Sequence, residues 1–263
     1  MKYGFIGCGN MGGALALALS KTTKDILLSD IDPEKARNLA EKLGVKSGTN
    51  NEVVKNCERI FFGVKPQVMA DMISGIKADL KDKNTVIITM AAGIKTESIE
   101  KEIGIKLPII RIMPNTPVMV ESGMILYCTN GLVEDSTAES FVNDMQFAGM
   151  LDEIDETLMD AGCSLSGCGP AFMYMFARSL AKGAEKCGIP KEKAIKYAAQ
   201  TMLGSAQMLL KSGTDPETLI KNVCSPGGST IEGVKSLESS NIYEMGEEAV
   251  KAAYKRNIEL GKN

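Results

Sequence analysis

The sequence predicts an α/β domain built on a parallel sheet, followed by an all-α domain, and three observations carry that reading. In the first part of the chain, short continuously apolar runs alternate with helical patterns. Strands of that kind are buried on both faces, the pattern of a parallel sheet with helical crossovers. After Ile154 the runs give way to helical periodicity that continues through Leu260. The third observation is a glycine-rich turn, Gly7-Cys8-Gly9-Asn10-Met11-Gly12, between the first apolar run and the first helical pattern.

That turn follows a strand over Tyr3–Ile6 and precedes a helix rich in Ala and Leu. Gly7 permits the tight turn, Gly9 lets the backbone approach a pyrophosphate, and Gly12 allows close helix–strand packing, with Asn10 and Met11 at the helix start. The first domain is therefore expected to be of the Rossmann type and to hold a dinucleotide. A second strand, Asp25–Ser29, ends at Asp30. An acid there accepts hydrogen bonds from a free ribose 2′-hydroxyl and repels a 2′-phosphate, so Asp30, followed by Ile31 and Asp32, leans toward NADH over NADPH. Lys35 or Arg37 in the next helix could instead reach a phosphate, and Asp30 or Asp32 could simply cap the helix that opens near Pro33.

Further strands are expected at Ile60–Val64, ending at Lys65-Pro66, at Thr85–Met90, ending at Ala91-Ala92-Gly93, and at Pro108–Met113, ending at Pro114-Asn115-Thr116-Pro117. Small residues and prolines gather at the carboxyl ends, where open α/β sheets bind ligands. In Val64-Lys65-Pro66 the lysine reads either as a binding group on a proline-fixed turn or as a solvated surface residue. Shorter strands near Met124–Cys128 and Met150–Ile154 complete a domain spanning 1–155. Helices are then expected at Glu156–Cys163, Pro170–Cys187, Lys191–Ser212, Pro216–Asn222, Thr230–Ser239 and Ile242–Leu260, within a second domain spanning 156–263. Phe172, Met173, Met175 and Phe176, then Met202, Leu203, Met208, Leu209 and Leu210, form apolar stripes. These stripes are either core within the chain or surface buried between subunits.

Between two of these helices lies Ser225-Pro226-Gly227-Gly228-Ser229-Thr230. A proline, two glycines and two hydroxyls at a helix entry put bare N–H groups and the positive helix end within reach of a small carboxylate. The same residues would also serve an ordinary helix start capped by Ser229 or Thr230.

Composition sets the outer limits. The 263 residues are 44% hydrophobic and 24% charged, with net charge −3, and the sequence pI is near 5.3. That is a soluble globular composition without the basic footprint that nucleic acid requires. With no charged-then-apolar leader and no apolar run of membrane-spanning length, a cytoplasmic protein is expected. The seven cysteines include no Cys-x-x-Cys pair, so neither a disulfide framework nor a metal site is expected, and packed thiols are the default reading. Histidine is absent, which excludes a His general base, a Ser-His-Asp triad and a His-ligated metal. The chemistry must come from a cofactor, and hydride transfer fits.

The segments GFIGCGNMG, FFGVKPQ, MAAGI, RIMPNTP, LSGCGPAF and SPGGSTIEGVKSLE occur in the order and spacing of the pyrroline-5-carboxylate reductase family, which the chain resembles over essentially its whole length. The resemblance implies a Rossmann domain, a helical dimerisation domain that interlocks two subunits, and a homodimer or ring of dimers. It implies reduction of 1-pyrroline-5-carboxylate to L-proline with NADPH or NADH. Asn50, Val64, Lys65, Pro66, Ala91, Ala92 and Gly93 would line the cofactor, with Asn222 near the nicotinamide. Ser225, Gly227, Gly228, Ser229 and Thr230 would hold substrate, Thr230 being the catalytic candidate that donates to or orients the ring nitrogen. Asp30 and Ile31 depart from the polar and basic residues that usually hold an NADPH phosphate, and Met90 stands where the family often has a small residue. A β-hydroxyacid dehydrogenase would resemble enzymes with a lysine four residues after a Gly-x-Gly, but Met173 holds that place after Gly169. A nicotinamide sensor without turnover would have no use for the SPGGST segment.

Overall fold

The computed structural model describes residues 1–80 and 85–261, and the chain divides into two compact units. Unit 1 comprises Met1–Cys168 and the chain from Ala253 onward; unit 2 comprises Gly169–Ala252.

In unit 1, β1 (Tyr3–Ile6), α1 (Asn10–Leu19), β2 (Ile26–Ser29), α2 (Pro33–Leu43), β3 (Lys46–Ser47), α3 (Asn50–Asn56) and β4 (Arg59–Phe62) follow one another. Then come α4 (Pro66–Leu80), β5 (Val86–Thr89), α5 (Thr96–Ile103), β6 (Ile109–Met113), β7 (Gly123–Thr129), α6 (Asp135–Asp144), β8 (Gly149–Glu153) and α7 (Met159–Gly162). The eight strands form one sheet in the order β3-β2-β1-β4-β5-β6-β7-β8. The order reverses between β1 and β4, the point at which doubly wound sheets open a crevice at their carboxyl ends.

Successive strand side chains face opposite ways, which divides the core in two. Tyr3, Phe5, Leu28, Phe61, Ile88 and Ile110 meet α1, α2 and α6 in one cluster. Ile6, Leu27, Phe62 and Ile87 meet α3, α4 and α5 in the other. Each fully buried Leu or Ile of this kind contributes about 1.5–3 kcal/mol, so the sheet rests on ordinary double-sided burial.

The sheet is parallel as expected except at one pairing, where β7 runs antiparallel to β6, matching Ile110 with Thr129 and Met113 with Leu126. A parallel crossover needs about a dozen residues or more. The proline-rich link between β6 and β7 instead closes in a single 3₁₀ turn, Thr116–Val120. β8 is then parallel to β7. β3, a two-residue exposed edge strand, gave no apolar run to read.

The helix expected over Glu156–Cys163 is likewise broken. It begins as a 3₁₀ turn at Glu156–Leu158, becomes α7, and widens into a π-helical turn at Cys163–Gly167. The cause is local competition for carbonyls: Ser164 and Ser166 donate back to Ala161 O and Gly162 O, and Asn115 Nδ2 takes Ser166 O at 3.0 Å.

Unit 2 contains α8 (Gly169–Lys186), α9 (Lys191–Ser212), α10 (Pro216–Val223), α11 (Ser229–Ser239) and the first part of α12 (Ile242–Leu260). Its buried apolar cluster is small: Ala181, Ala194 and Ala198 where α8 meets α9, with Ala184 and Ile189 beside it. Most of the stripes are not core within the chain, Phe172, Phe176 and Met202 alone being half-buried. Met173, Tyr174, Met175, Leu203, Met208, Leu209 and Leu210 are exposed, Met175 at 72% and Leu210 at 71%. The α8–α9 contact is made by alanines, which leaves the large side chains on the outer faces of both helices.

Candidate active site

Packing of the protein itself requires two of the three fingerprint glycines and leaves the third free. Gly7 adopts φ +105°, and a Cβ on Gly12 would run into the Gly7 carbonyl oxygen, so packing alone demands both glycines. Gly9 is different: beyond its chain neighbours and its own helix, a Cβ there would meet no atom of the described residues within 4 Å. Gly9 also occupies the N-cap of α1, where no side chain caps the helix and no acid stands in the first turn. The first N–H groups of α1, at Asn10 and Met11, therefore face outward with the positive end of the helix behind them. Asn10 is exposed and Met11 half-buried.

Asp30 braces this turn. Its Oδ2 accepts the Cys8 N–H at 2.7 Å and its Oδ1 accepts the Asp32 N–H at 3.1 Å, while Lys35 Nζ lies 4.0 Å away. The capping role falls to Asp32, whose carboxylate accepts the Glu34 N–H at the start of α2. Beside Asp30 a cleft of about 440 Å³ opens past the ends of β2 and β3, lined by Ser29, Asp30, Arg37, Thr49, Asn50 and Asn51, among others. Asn50 is fixed there by Ser29, whose hydroxyl donates to Asn50 Oδ1 at 2.7 Å. Thr49 was missed from the sequence, although Thr49-x-x-Glu52 is a capping box that marks the start of α3.

The other expected cofactor residues of unit 1 stand on the same edge of the sheet. Val64 and Lys65 follow β4, and Pro66 opens α4; Val64 is half-buried and Lys65 exposed. Ala91, Ala92 and Gly93 follow β5, with Ala91 buried and Ala92 exposed.

In unit 2, Asn222 is exposed near the end of α10. The chain then turns at Ser225-Pro226-Gly227-Gly228, where the Gly228 N–H donates to Ser225 O at 3.0 Å and Gly227 takes φ +71°. Proline second and a positive-φ glycine third are the signature of a type II turn. The N-cap of α11 is Gly228, without any side-chain cap, and Ser229 and Thr230 are the first two helical residues. The alternative in which Ser229 or Thr230 caps this helix is thereby removed. Ser229 sits one step and Thr230 two steps past the N-cap, and both residues remain exposed. Ser225, Gly227, Gly228, Ser229 and Thr230 are thus gathered around one uncapped helix start.

Cys8, inside the fingerprint, is buried, and burial foremost, with the Asp30 carboxylate second, pushes its thiol pKa up to about 12. It is a packing residue. Cys57 and Cys128 are also buried, Cys163, Cys168 and Cys224 half-buried, and Cys187 exposed. Among the described residues no group of three or more His, Cys, Asp or Glu is placed to hold a metal ion. None of the described helices is long and apolar enough to cross a membrane.

Residues 156–260 match the family model described as pyrroline-5-carboxylate reductase dimerisation, and residues 2–93 match that of NADP oxidoreductase, coenzyme F420-dependent. The chain is 34% identical to the pyrroline-5-carboxylate reductase of Escherichia coli (strain K12) over 100% of its own length and 99% of the relative's. It belongs to the pyrroline-5-carboxylate reductase family. Among solved structures, that of the Coxiella burnetii pyrroline-5-carboxylate reductase superposes with a TM-score of 0.93 at 31% identity, covering 98% of each chain. The Plasmodium falciparum pyrroline carboxylate reductase with NADP bound gives 0.87 at 31% identity, over 99% of this chain and 98% of that one. In this member of the pyrroline-5-carboxylate reductase family, unit 1 fits a dinucleotide on its own geometry. Gly9 leaves room at an uncapped, acid-free helix start, and the cleft past β2 and β3 lies beside the acid at the end of β2.

Proposed function

We propose that the protein reduces 1-pyrroline-5-carboxylate to L-proline at the expense of NADH or NADPH, the last step of proline biosynthesis, in the cytoplasm. The observation that carries this reading is the SPGGST turn feeding an uncapped α11 in a chain alignable end to end with a named reductase. Gly7, Gly9, Asn10, Met11 and Gly12 would hold the pyrophosphate, Asp30 and Asn50 the adenosine ribose, and Val64, Lys65, Pro66, Ala91, Ala92, Gly93 and Asn222 the remainder of the cofactor. The N–H groups of Ser229 and Thr230, with Ser225 and the two glycines, would take the substrate carboxylate. What a bound nicotinamide supplies is a hydride to the C=N carbon, while the ring nitrogen, bound as the protonated iminium, becomes the secondary amine of proline. The Thr230 hydroxyl need then only fix that nitrogen, and alignment of well-placed reactants lowers a barrier by about 7–11 kcal/mol. No histidine is required. The helical part would form a homodimer, with rings of dimers as the larger assembly.

Turnover of NADH or NADPH upon addition of 1-pyrroline-5-carboxylate, with L-proline as product, tests the reading; absence of turnover with both cofactors would overturn it. For cofactor choice, Asp30 supports NADH used at least as efficiently as NADPH. Arg37 in the lining of the cleft favours the second reading, in which a 2′-phosphate is accommodated. The ratio of kcat/KM for the two cofactors decides between them: a large NADPH advantage that disappears in Arg37→Ala establishes the second.

A further inference from the structure

The segment after β5, Ala91-Ala92-Gly93, is held by groups remote in sequence. It ends at α5, whose N-cap, Lys95, offers no side-chain cap. The cap comes from Glu156 instead. Its Oε1 accepts the Thr96 N–H at 2.8 Å, and its Oε2 accepts the Thr96 hydroxyl at 3.0 Å. Glu156 is in turn oriented by Arg111 on β6, a side chain only 2% exposed, whose Nη1 donates to the same Oε1 at 3.2 Å. Among the described residues the Arg111 Nε and Nη2 have no hydrogen-bond partner, Asp160 Oδ1 standing 3.8 Å from Nη2. Among the described residues Glu156 is thus the single hydrogen-bonded partner of a buried guanidinium and at the same time the anion at the positive end of α5. The far side of the segment is braced as well. Gly93 takes φ +75°, and a Cβ on it would stand 3.1 Å from the Gly261 Cα; Asn257 on α12 donates to Asp160 O at 3.1 Å.

We infer that Glu156 is a positioning residue for the cofactor: by tying Thr96 to Arg111 it sets the backbone of Ala91-Ala92-Gly93. The inference rests on the proposal that this segment lines a nicotinamide cofactor. Unpinning the start of α5 lets the segment sample other conformations, and binding is weakened by the fraction of molecules in which it is misplaced. Both carboxylate oxygens of Glu156 are engaged by Thr96 and Arg111, so its role in this reading is through the segment. Its loss is therefore read in cofactor affinity and not in substrate KM.

The test is a fluorescence titration of NADH and NADPH on the full chain without substrate, alongside steady-state kinetics. It compares wild type with Glu156→Gln, Glu156→Ala and Thr96→Val. Gln can keep its carbonyl on the Thr96 N–H and Arg111 while its amide N–H₂ donates to the Thr96 hydroxyl, so it removes chiefly the negative charge and should weaken cofactor binding about three- to tenfold; Ala should weaken it about tenfold or more. Thr96→Val removes only the hydroxyl bond and should cost about two- to threefold. The KM for 1-pyrroline-5-carboxylate at saturating cofactor should stay within about twofold of wild type in all three. Cofactor dissociation constants unchanged in both Glu156 variants, with only the melting temperature lowered, would overturn the inference and leave a merely structural ion pair. If Glu156→Ala does not fold, Glu156→Gln and Thr96→Val decide alone. Gly9→Ala in the fingerprint is the control: unweakened binding there would count against the cofactor assignment itself, separately from Glu156.

Discussion

Thr230 has one hydroxyl to use, in a chain without histidine and with Glu232 as the acid in the same first turn of α11. If it only hydrogen-bonds a preformed iminium, Thr230→Ala should lose about ten- to a hundredfold in kcat/KM, while Thr230→Ser keeps much of the wild-type rate. A proton donor would cost more, about a hundred- to ten-thousandfold, and the loss would grow as the free imine deprotonates. Profiles of kcat/KM from about pH 6 to pH 9 separate the two roles. Wild-type kinetics in the Ala variant would reject both. Cys8 makes the opposite point, a reactive side chain that the fold silences. With its pKa pushed up to about 12 by burial first and by Asp30 second, it remains a thiol at neutral pH. The thiolate is the nucleophile, so native protein treated with iodoacetamide near about pH 8 should retain unmodified Cys8 after exposed Cys187 has reacted. Mass spectrometry of the peptides reads this directly, and equal labelling of the two would refute it.

At the scale of the element, the start of α1 separates glycines that packing requires from Gly9, which packing leaves free and the proposed dinucleotide would use. Gly12→Ala drives a Cβ into the Gly7 carbonyl and should destabilise by about 1–3 kcal/mol, seen as a lower urea midpoint. Beyond its chain neighbours and its own helix, Gly9→Ala meets no atom of the described residues, so its midpoint should stay close to wild type while reduced-cofactor affinity falls about tenfold. Equal destabilisation by both would place Gly9 among the packing glycines. Asp32, the cap of α2, supplies a reference: Asp32→Ala should cost about 0.5–2 kcal/mol without touching cofactor affinity.

For the whole molecule, unit 2 is the anomaly. Its buried apolar cluster centres on Ala181, Ala194 and Ala198, and neither α10 nor α11 contributes a buried residue. Met173, Tyr174, Met175, Met208 and Leu210 meanwhile stand in water. A self-complementary partner is the ordinary way to cover so many exposed large apolar side chains. Sedimentation at low micromolar concentration should therefore find no stable monomer, and Met175→Glu together with Leu210→Glu should dissociate the assembly. A compact, fully active wild-type monomer would contradict the proposed homodimer.

The sequence by itself determined the elements whose signals are local. The fingerprint needs only Gly7, Gly9 and Gly12 after an apolar strand, and β1, α1, α9 and α12 stand where periodicity put them. The uncapped turn at Ser225–Thr230 was legible as a proline and two glycines before a helix, though which residue caps that helix was not. What only the tertiary structure decided depends on partners distant along the chain. The antiparallel β6–β7 pairing follows from a link too short for a crossover, and β3 exists only because β2 lies beside it. Asp30 proved to brace the Cys8 N–H, and Glu156 to cap a helix 60 residues earlier. Such bonds are chosen by where two segments meet in space, and side-chain periodicity carries no record of that meeting.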